Sequence, residues 1–571
     1  MTSRRPPRRG LALGVLCLSL LIVVLDVTVL NVALPTLVRD LNATSTELQW
    51  IVDAYVLVFA GLILVSGSVA DRLGRKWVFL GGLVAFAACS TWAALSGSVA
   101  VLIAARASMG VGGAMIMPST LALITGMYDD PHERQRAFGF WAATTGAAVA
   151  LGPIVGGVLL AHFSWGSIFL INVPIAALAL GLAIPFVPSS RNPRAGAPDL
   201  VGAALSVSGL ALLLWAIIEA PVNGWTSARV IGAGLGAIAV LATFTLWERR
   251  APNPMLHLSF FRNRTFSVSV ISVSMVVFGL YGALFVLTQF LQFDLGYSAL
   301  QTGLRVLPAA GTIIVVAPLA GLLDRAIGTR PTVAGGLVLI AAGLWQLSTA
   351  GVTTTYGETV LGMVLLGLGT ALVIPSVTAS VMGTLPSEHT GVGSATNGTF
   401  LQVGGALGVA VIGSLLSTRY QDHMSAALAP YHHLIPAGVE STVLGSIGGA
   451  LDVASRQGGP FAEVLTRFAR SAFMSGMDLA MLTAAAVALA AGLFALLALP
   501  SRAATGGAAS SEPGRPAVPA PPPGRGADAT PEVGGSAPVS GAGGRPTLRA
   551  CGGGPGSRRR AALWWSFSPA S

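Results

Sequence analysis

Apolar runs long enough to cross a bilayer recur along nearly the whole chain. No other feature limits the fold as much. A helix rises 1.5 Å per residue, so about 20 apolar residues span the hydrocarbon core. Inside lipid the backbone has no water to bond with, so each run must be a helix. That ruler gives about fourteen spans. They begin near Leu11, Leu48, Trp77, Val101, Ala137, Trp165, Leu200, Val230, Phe266, Thr302, Pro331, Thr359, Gly391 and Ser471. Composition agrees: only 10% of the residues are charged, against roughly 25% in soluble domains. The expected fold is an all-α polytopic membrane protein.

The formal net charge of +10 is read as topology, not as nucleic-acid binding, because the basic residues lie in short loops and tails. Arg72, Arg75, Lys76, Arg134, Arg136, Arg191, Arg194, Arg249, Arg250, Arg262, Arg264, Arg325 and Arg330 fall on one side, while the opposite loops hold little beyond Arg39 and Arg229. Positive loops face the cytoplasm. Both termini are therefore expected there, in a cytoplasmic membrane with anionic lipid. The loop at Pro386–Thr390 departs from the rule, having no basic residue but a histidine. Met1–Gly10, with four arginines, precedes an apolar stretch from Leu11 to Pro35. That stretch is too long for a signal peptide and reads as the first span.

A weak internal repeat organises the chain. Gly67–Lys76 closes the second run, and Gly321–Gly328, with Asp324-Arg325, closes the tenth in a similar way. Matching the two gives a six-helix bundle (1–188), two inserted helices with linkers (189–265) and a second six-helix bundle (266–500). The second bundle includes an external loop, 417–470, in which a short surface helix is expected. Residues 501–571, rich in Pro, Gly, Ala and Ser, read as a disordered cytoplasmic tail. Its Arg558-Arg559-Arg560 and Trp564-Trp565 are candidates for touching a membrane surface. Cys17, Cys89 and Cys551 show no disulfide or metal spacing, and His432-His433 lacks a partner cluster. No metal and no cofactor is expected.

Charges inside apolar runs are costly, and so mark function by default. Asp26, in Leu25–Pro35, and Arg106, in the fourth run, fall at similar depths from the same side and are placed to pair. A carboxylate under desolvation and a nearby cation can take up or release a proton; a static packing pair is the alternative. Asp53 of the second run lies near the depth of Arg106. It suits attraction of cationic substrates or proton carriage. With Thr28, Asn31, Gln49 and Tyr55 it forms a candidate substrate cavity. Trp50 and Tyr55 suit an interface belt. Glu219 and Asp478 lie near external helix ends, and Arg305 is placed to snorkel. Between the second and third runs, Gly67, Asp71, Arg72, Gly74, Arg75 and Lys76 read as a loop of about five residues between antiparallel helices. In it Asp71 among three cations forms a latch. On the fifth run Gly146, Gly152, Pro153, Gly156 and Gly157 allow backbone-to-backbone packing, and Pro153 frees a carbonyl.

These motifs resemble the major facilitator superfamily. Gly67–Lys76 is similar to its signature G-x-L-x-D-R-x-G-R-[R/K], with Val69 for Leu. Leu25–Pro35 resembles L-D-x-T-[VI]-[VL]-N-V-A-L-P of the drug-exporting branch. Arg106–Ala114 resembles R-x-x-Q-G-x-G-A-A, with Met109 for Gln and Gly113 for Ala. Gly146–Gly157 looks like the motif associated with antiporters. Glu248–Phe266 and Gly404–Gly408 look like fourteen-helix exporters, whereas Ser164–Phe169 lacks the arginine of W-R-W-x-F. The resemblance covers roughly Leu11–Pro500. It implies a fourteen-helix drug:proton antiporter, working as a monomer on small molecules and protons. Asp26 and Arg106 would be its coupling pair, Asp71, Arg72, Arg75 and Lys76 its gate, and the fifth-run glycines its hinge. A symporter importing a metabolite and a membrane-embedded enzyme or sensor are the other readings. No G-x-x-x-x-G-K-[ST] loop supports ATP-driven transport.

Overall fold

The computed structural model describes residues 9–499 except 129, 192–195, 353, 385–389 and 431–436. Arg4, Arg5, Arg8, Arg194, His432-His433, Cys551 and the tail 501–571 lie outside the described residues, as does nearly all of the loop at 386–390.

Among the described residues fourteen helices are long and apolar enough to cross a membrane. They are α1 (Arg9–Leu41), α2 (Ser45–Leu73), α3 (Arg75–Ala94), α4 (Val99–Met127), α5 (Arg136–His162), α6 (Ser167–Phe186) and α7 (Leu200–Ile218). The others are α8 (Ala228–Glu248), α9 (Arg264–Asp294), α10 (Ala299–Ile327), α11 (Thr329–Ser348), α12 (Tyr356–Gly383), α13 (Ala395–Leu428) and α14 (Gly459–Ala498). Side-chain caps fix several starts. Thr44 and Glu47 form a capping box on α2, and Asp199 and Asn263 accept from the first turns of α7 and α9.

Three boundaries differ from expectation. First, α1 does not stop at Pro35 but runs on to Leu41, which leaves Asp26 near its middle. A proline removes one hydrogen bond; ending the helix inside an apolar bundle would expose several. Second, the loop between α2 and α3 is the single residue Gly74, not about five residues. Its φ of +111° is open to glycine and strained for other residues. Gly328, at φ +92°, joins α10 to α11 in the same way. Third, much of 417–470 is helical. α13 continues to Leu428, and short helices follow at Ala437–Gly445 and Ile447–Gln457. α14 starts at Gly459, not near Ser471. A ruler for apolar length stops at the charges Glu463, Arg467 and Arg470, although the helix carries on above them.

α2 packs on α4, α4 on α3, and α1 on α5 and α6. In the last six, α9 packs on α13, and α11 on α12 and α14. The inserted α7 and α8 pair with each other, and α7 touches both α2 and α13. Opposite the end marked by Gly74, here termed the far end, α5 and α10 meet backbone to backbone. A Cβ on Gly157 would lie 2.6 Å from the Leu300 Cα, and one on Gly303 would lie 2.1 Å from the Pro153 carbonyl oxygen. Gln292 of α9 also donates to the Val32 carbonyl of α1 at 2.9 Å. The helix Ile447–Gln457 sits over this end, with Gly448 against Val38 of α1 and Phe293 of α9. Toward the Gly74 end, Gly139 and Gly146 of α5 face open space, so the tight seam is confined to the far end.

Candidate functional site

The structure gathers a polar cluster inside the first six helices. Asp26 is 2% exposed and Arg106 is 0% exposed. Arg106 Nη1 donates to Asp26 Oδ2. Arg106 Nε donates to the Ile51 carbonyl of α2 at 3.1 Å. The guanidinium carbon lies 4.5 Å from the Tyr55 ring centroid and 5.8 Å from that of Phe169. Asn172 of α6 donates from Nδ2 to Asp26 Oδ1 at 3.1 Å and to Ser90 Oγ of α3 at 3.0 Å. Ser90 in turn donates to the Phe169 carbonyl at 2.9 Å. Two of these side chains, Arg106 and Asn172, hold the Asp26 carboxylate, and five helices contribute to the cluster around it. A buried ion pair owes its survival to such extra bonds, because desolvation of both charges offsets their attraction. The sequence reading passes over Asn172 and Ser90. An amide inside an apolar run is the signal that points to Asn172.

The proposed cavity residues do not gather around one opening. Thr28 donates to the Leu25 carbonyl at 3.0 Å and faces α5. Asn31 bonds back to Val27 at 3.1 Å. Gln49 accepts from Ser414 of α13 at 3.1 Å, at the join between the two sets of helices. Tyr55 lies under Arg106, so it is no interface-belt residue; a ring beside a buried guanidinium is stabilised by the cation–π interaction. Asp53, one turn beyond Gln49 on the same helix, is fully buried, and neither of its oxygens has a hydrogen-bond partner. Trp50 likewise turns inward, donating to Glu219 at 3.1 Å, so Glu219 is a partner of α2 and not merely hydrated. Arg305 stacks 3.8 Å from the Tyr297 ring centroid instead of reaching for the interface.

At the Gly74 end, Asp71 accepts from Arg75 Nε at 2.7 Å. Arg75 Nη1 reaches the Ala122 carbonyl of α4 at 3.2 Å, and Lys76 Nζ reaches the Ile184 carbonyl of α6 at 2.7 Å. Arg75 and Lys76 start α3, where the helix dipole disfavours cations. They are held instead by carbonyls near the ends of two neighbouring helices. Arg72 is exposed in the last turn of α2, and Gly67 has only the Pro118 side chain near its open face.

On α5, a Cβ at Gly152 would fall 1.9 Å from Thr28 Oγ1, and one at Gly156 would fall 3.1 Å from the Val29 carbonyl. These two glycines press on α1 just beyond Asp26, while Gly157 and Pro153 press on α10. Gly146 contacts nothing there. At Gly166, where related motifs carry arginine nearby, a Cβ would meet the Ala94 carbonyl at 2.5 Å.

Fourteen helices long enough to cross a membrane among the described residues, with an acid–base pair buried inside the first six, define a polytopic membrane protein with a charged interior. The family model of the Major Facilitator Superfamily matches residues 16–409. The chain belongs to that superfamily, and it is a multi-pass membrane transporter. It is 35% identical over 496 residues to the tetracenomycin C resistance and export protein of Streptomyces glaucescens, covering 86% of this chain and 91% of that protein. It is 36% identical to the multidrug efflux pump LfrA of Mycolicibacterium smegmatis, covering 86% and 96%. Among solved structures, an inward-facing bacterial homologue of the human lysosomal transporter Spinster aligns with a TM-score of 0.58 at 16% identity, covering 87% and 98%. That likeness concerns the fold alone.

Proposed function

We propose that the protein exports hydrophobic or cationic small molecules, drugs and antibiotics among them, in exchange for protons. It would do so by alternating access between its first and last six helices. Both termini are cytoplasmic in this reading, and one chain is the working unit. The Asp26–Arg106 pair carries the proposal, together with the export proteins to which the chain is similar. A proton arriving on Asp26 neutralises the carboxylate and releases Arg106. Thr28, two residues on, lies against Gly152, so a shift of α1 reaches α5 and the far-end seam directly. The seam then closes or parts as the pair forms or breaks. Purified protein in liposomes, followed with ethidium, tests this. Dye is expected to move against its gradient only under an imposed pH difference. Equal movement without one would overturn the reading.

Asp53 is a second proton carrier in this scheme. Asp53→Asn removes a partnerless buried carboxyl group that must give up its charge or its hydration on folding, which is expected to raise thermal stability at neutral pH while lowering pumping. A melting curve and a dye assay on the same preparation check both signs.

The Asp71 and Arg75 side chains are 34% and 22% exposed, and a partly exposed pair four residues apart contributes only about 0.3–0.5 kcal/mol. Asp71→Asn is therefore expected to leave the melting temperature nearly unchanged and to slow transport several-fold. A large loss of stability with unchanged turnover would mark the pair as structural only.

A further inference from the structure

Asn172 is completely buried, yet only half of its amide is used. Both N–H bonds of Nδ2 are spent, one on Asp26 Oδ1 and one on Ser90 Oγ. Its own carbonyl oxygen is buried with no hydrogen-bond partner. An orphaned acceptor in an apolar interior is costly, and a leucine would fill similar space without that cost. The idle oxygen gains a donor once the neighbouring carboxylate is protonated.

The two oxygens of Asp26 are not equivalent. Arg106 Nη1 donates to Oδ2, so a proton placed there would face a guanidinium N–H. Oδ1 meets the uncharged Asn172 amide at 3.1 Å. With a proton on Oδ1, two donors would point at each other. A half-turn of the amide about χ2 removes that conflict. It exchanges nitrogen for oxygen at nearly the same size, so the closed packing around Asn172 permits it. The Asn172 oxygen then accepts from Asp26 Oδ1. The Ser90 hydroxyl, which now donates to the Phe169 carbonyl at 2.9 Å, can turn to the same oxygen.

We propose that Asn172 is the positioning residue that directs the coupling proton to Asp26 Oδ1 and holds both charge states of that acid by turning its amide over. This rests on the proton-exchange reading above. Hydronium supplies the proton: an O–H bond forms at Oδ1 and water leaves. Arg106 of α4 and the Tyr55 phenol of α2 are the charged and titratable side chains of the cluster. α3 and α6 bring Ser90 and Asn172 to it, and α5 presents Gly152 to α1.

The test uses the full chain in liposomes, with ethidium as the probe and the pH of the proton-donating side varied. In Asn172→Leu the anion loses a donor to its charge, while the acid loses only a neutral acceptor. The first bond is the stronger. Half-maximal driven transport is therefore expected at a pH roughly one unit higher, with the maximum at acid pH largely kept. Ser90→Ala removes the bond that orients the amide, so a smaller shift in the same direction is expected. That variant decides the matter if Asn172→Leu does not fold. Infrared spectra with carbon-13 asparagine follow the amide itself. The side-chain carbonyl band that is lost in Asn172→Leu is expected to fall in frequency on acidification, as the oxygen gains a donor. An unshifted pH profile, with transport lowered equally at every pH, marks Asn172 as packing only and overturns the proposal. An amide band that stays in place does the same. If the unmodified chain moves dye with no pH difference, the exchange reading falls, and this inference with it.

Discussion

Asp26→Asn is expected to abolish proton-driven export, by roughly 100-fold or more, a change of about 2.7 kcal/mol or greater in the driven step. The substitution keeps the size of the side chain and an oxygen for Arg106, so the five-helix cluster retains its shape. What disappears is the group that a proton can neutralise. Arg106 then stays charged and buried without an anion, and breaking a buried pair costs about 3–5 kcal/mol. A lower melting temperature is therefore expected alongside the loss of pumping. The distinguishing measurement is dye exchange without a pH difference. A purely structural role would lower exchange and driven transport together. The coupling role predicts that downhill exchange survives while accumulation against a gradient stops. Normal pumping by the Asp26→Asn protein would sink the mechanism.

The second large effect is at Gly303. A Cβ there would stand 2.1 Å from the Pro153 carbonyl oxygen and 2.7 Å from its carbon. Both partners are backbone, so no rotamer change relieves the clash, and overpacking of this kind costs about 1–3 kcal/mol. The cost falls only on the state in which α5 and α10 touch. At 1.4 kcal/mol per tenfold, Gly303→Ala is expected to shift the balance roughly 5- to 150-fold toward a far-end-open state. Leu300→Cys in a cysteine-free background, labelled with an impermeant maleimide, reports that opening. Labelling is expected to rise and turnover to fall about tenfold or more. Gly146→Ala is the control, since no atom lies within 4 Å of its added Cβ. Unchanged labelling in Gly303→Ala would mean that this seam is not the far-end closure.

Much of this was legible in the chain itself. Spans were readable because lipid imposes one length and one periodicity on every crossing, so thirteen of the fourteen starts fell within a few residues of the helices, α14 being the exception. That start was missed because charges on a helix emerging from lipid look like a loop to any measure of apolarity. Asp26 and Arg106 stood out because ions in apolar runs are costly, and counting residues from the same side placed them at similar depths. Counting could not say which faces turn inward. Trp50 and Tyr55 looked like interface residues, yet one bonds Glu219 and the other lies under Arg106. Asn172 went unremarked because an amide carries no charge to draw attention.

The amino-acid order alone therefore determined the number of crossings, the family and the two buried charges that pair, since each follows from local chemistry and spacing. Only the tertiary structure decided what those groups touch. Whether Asp53 finds a partner, whether Gly303 meets Pro153, and whether Trp50 reaches Glu219 depend on the rotation and approach of helices far apart in the chain. Packing sets those angles, and no single helix contains the information that fixes them.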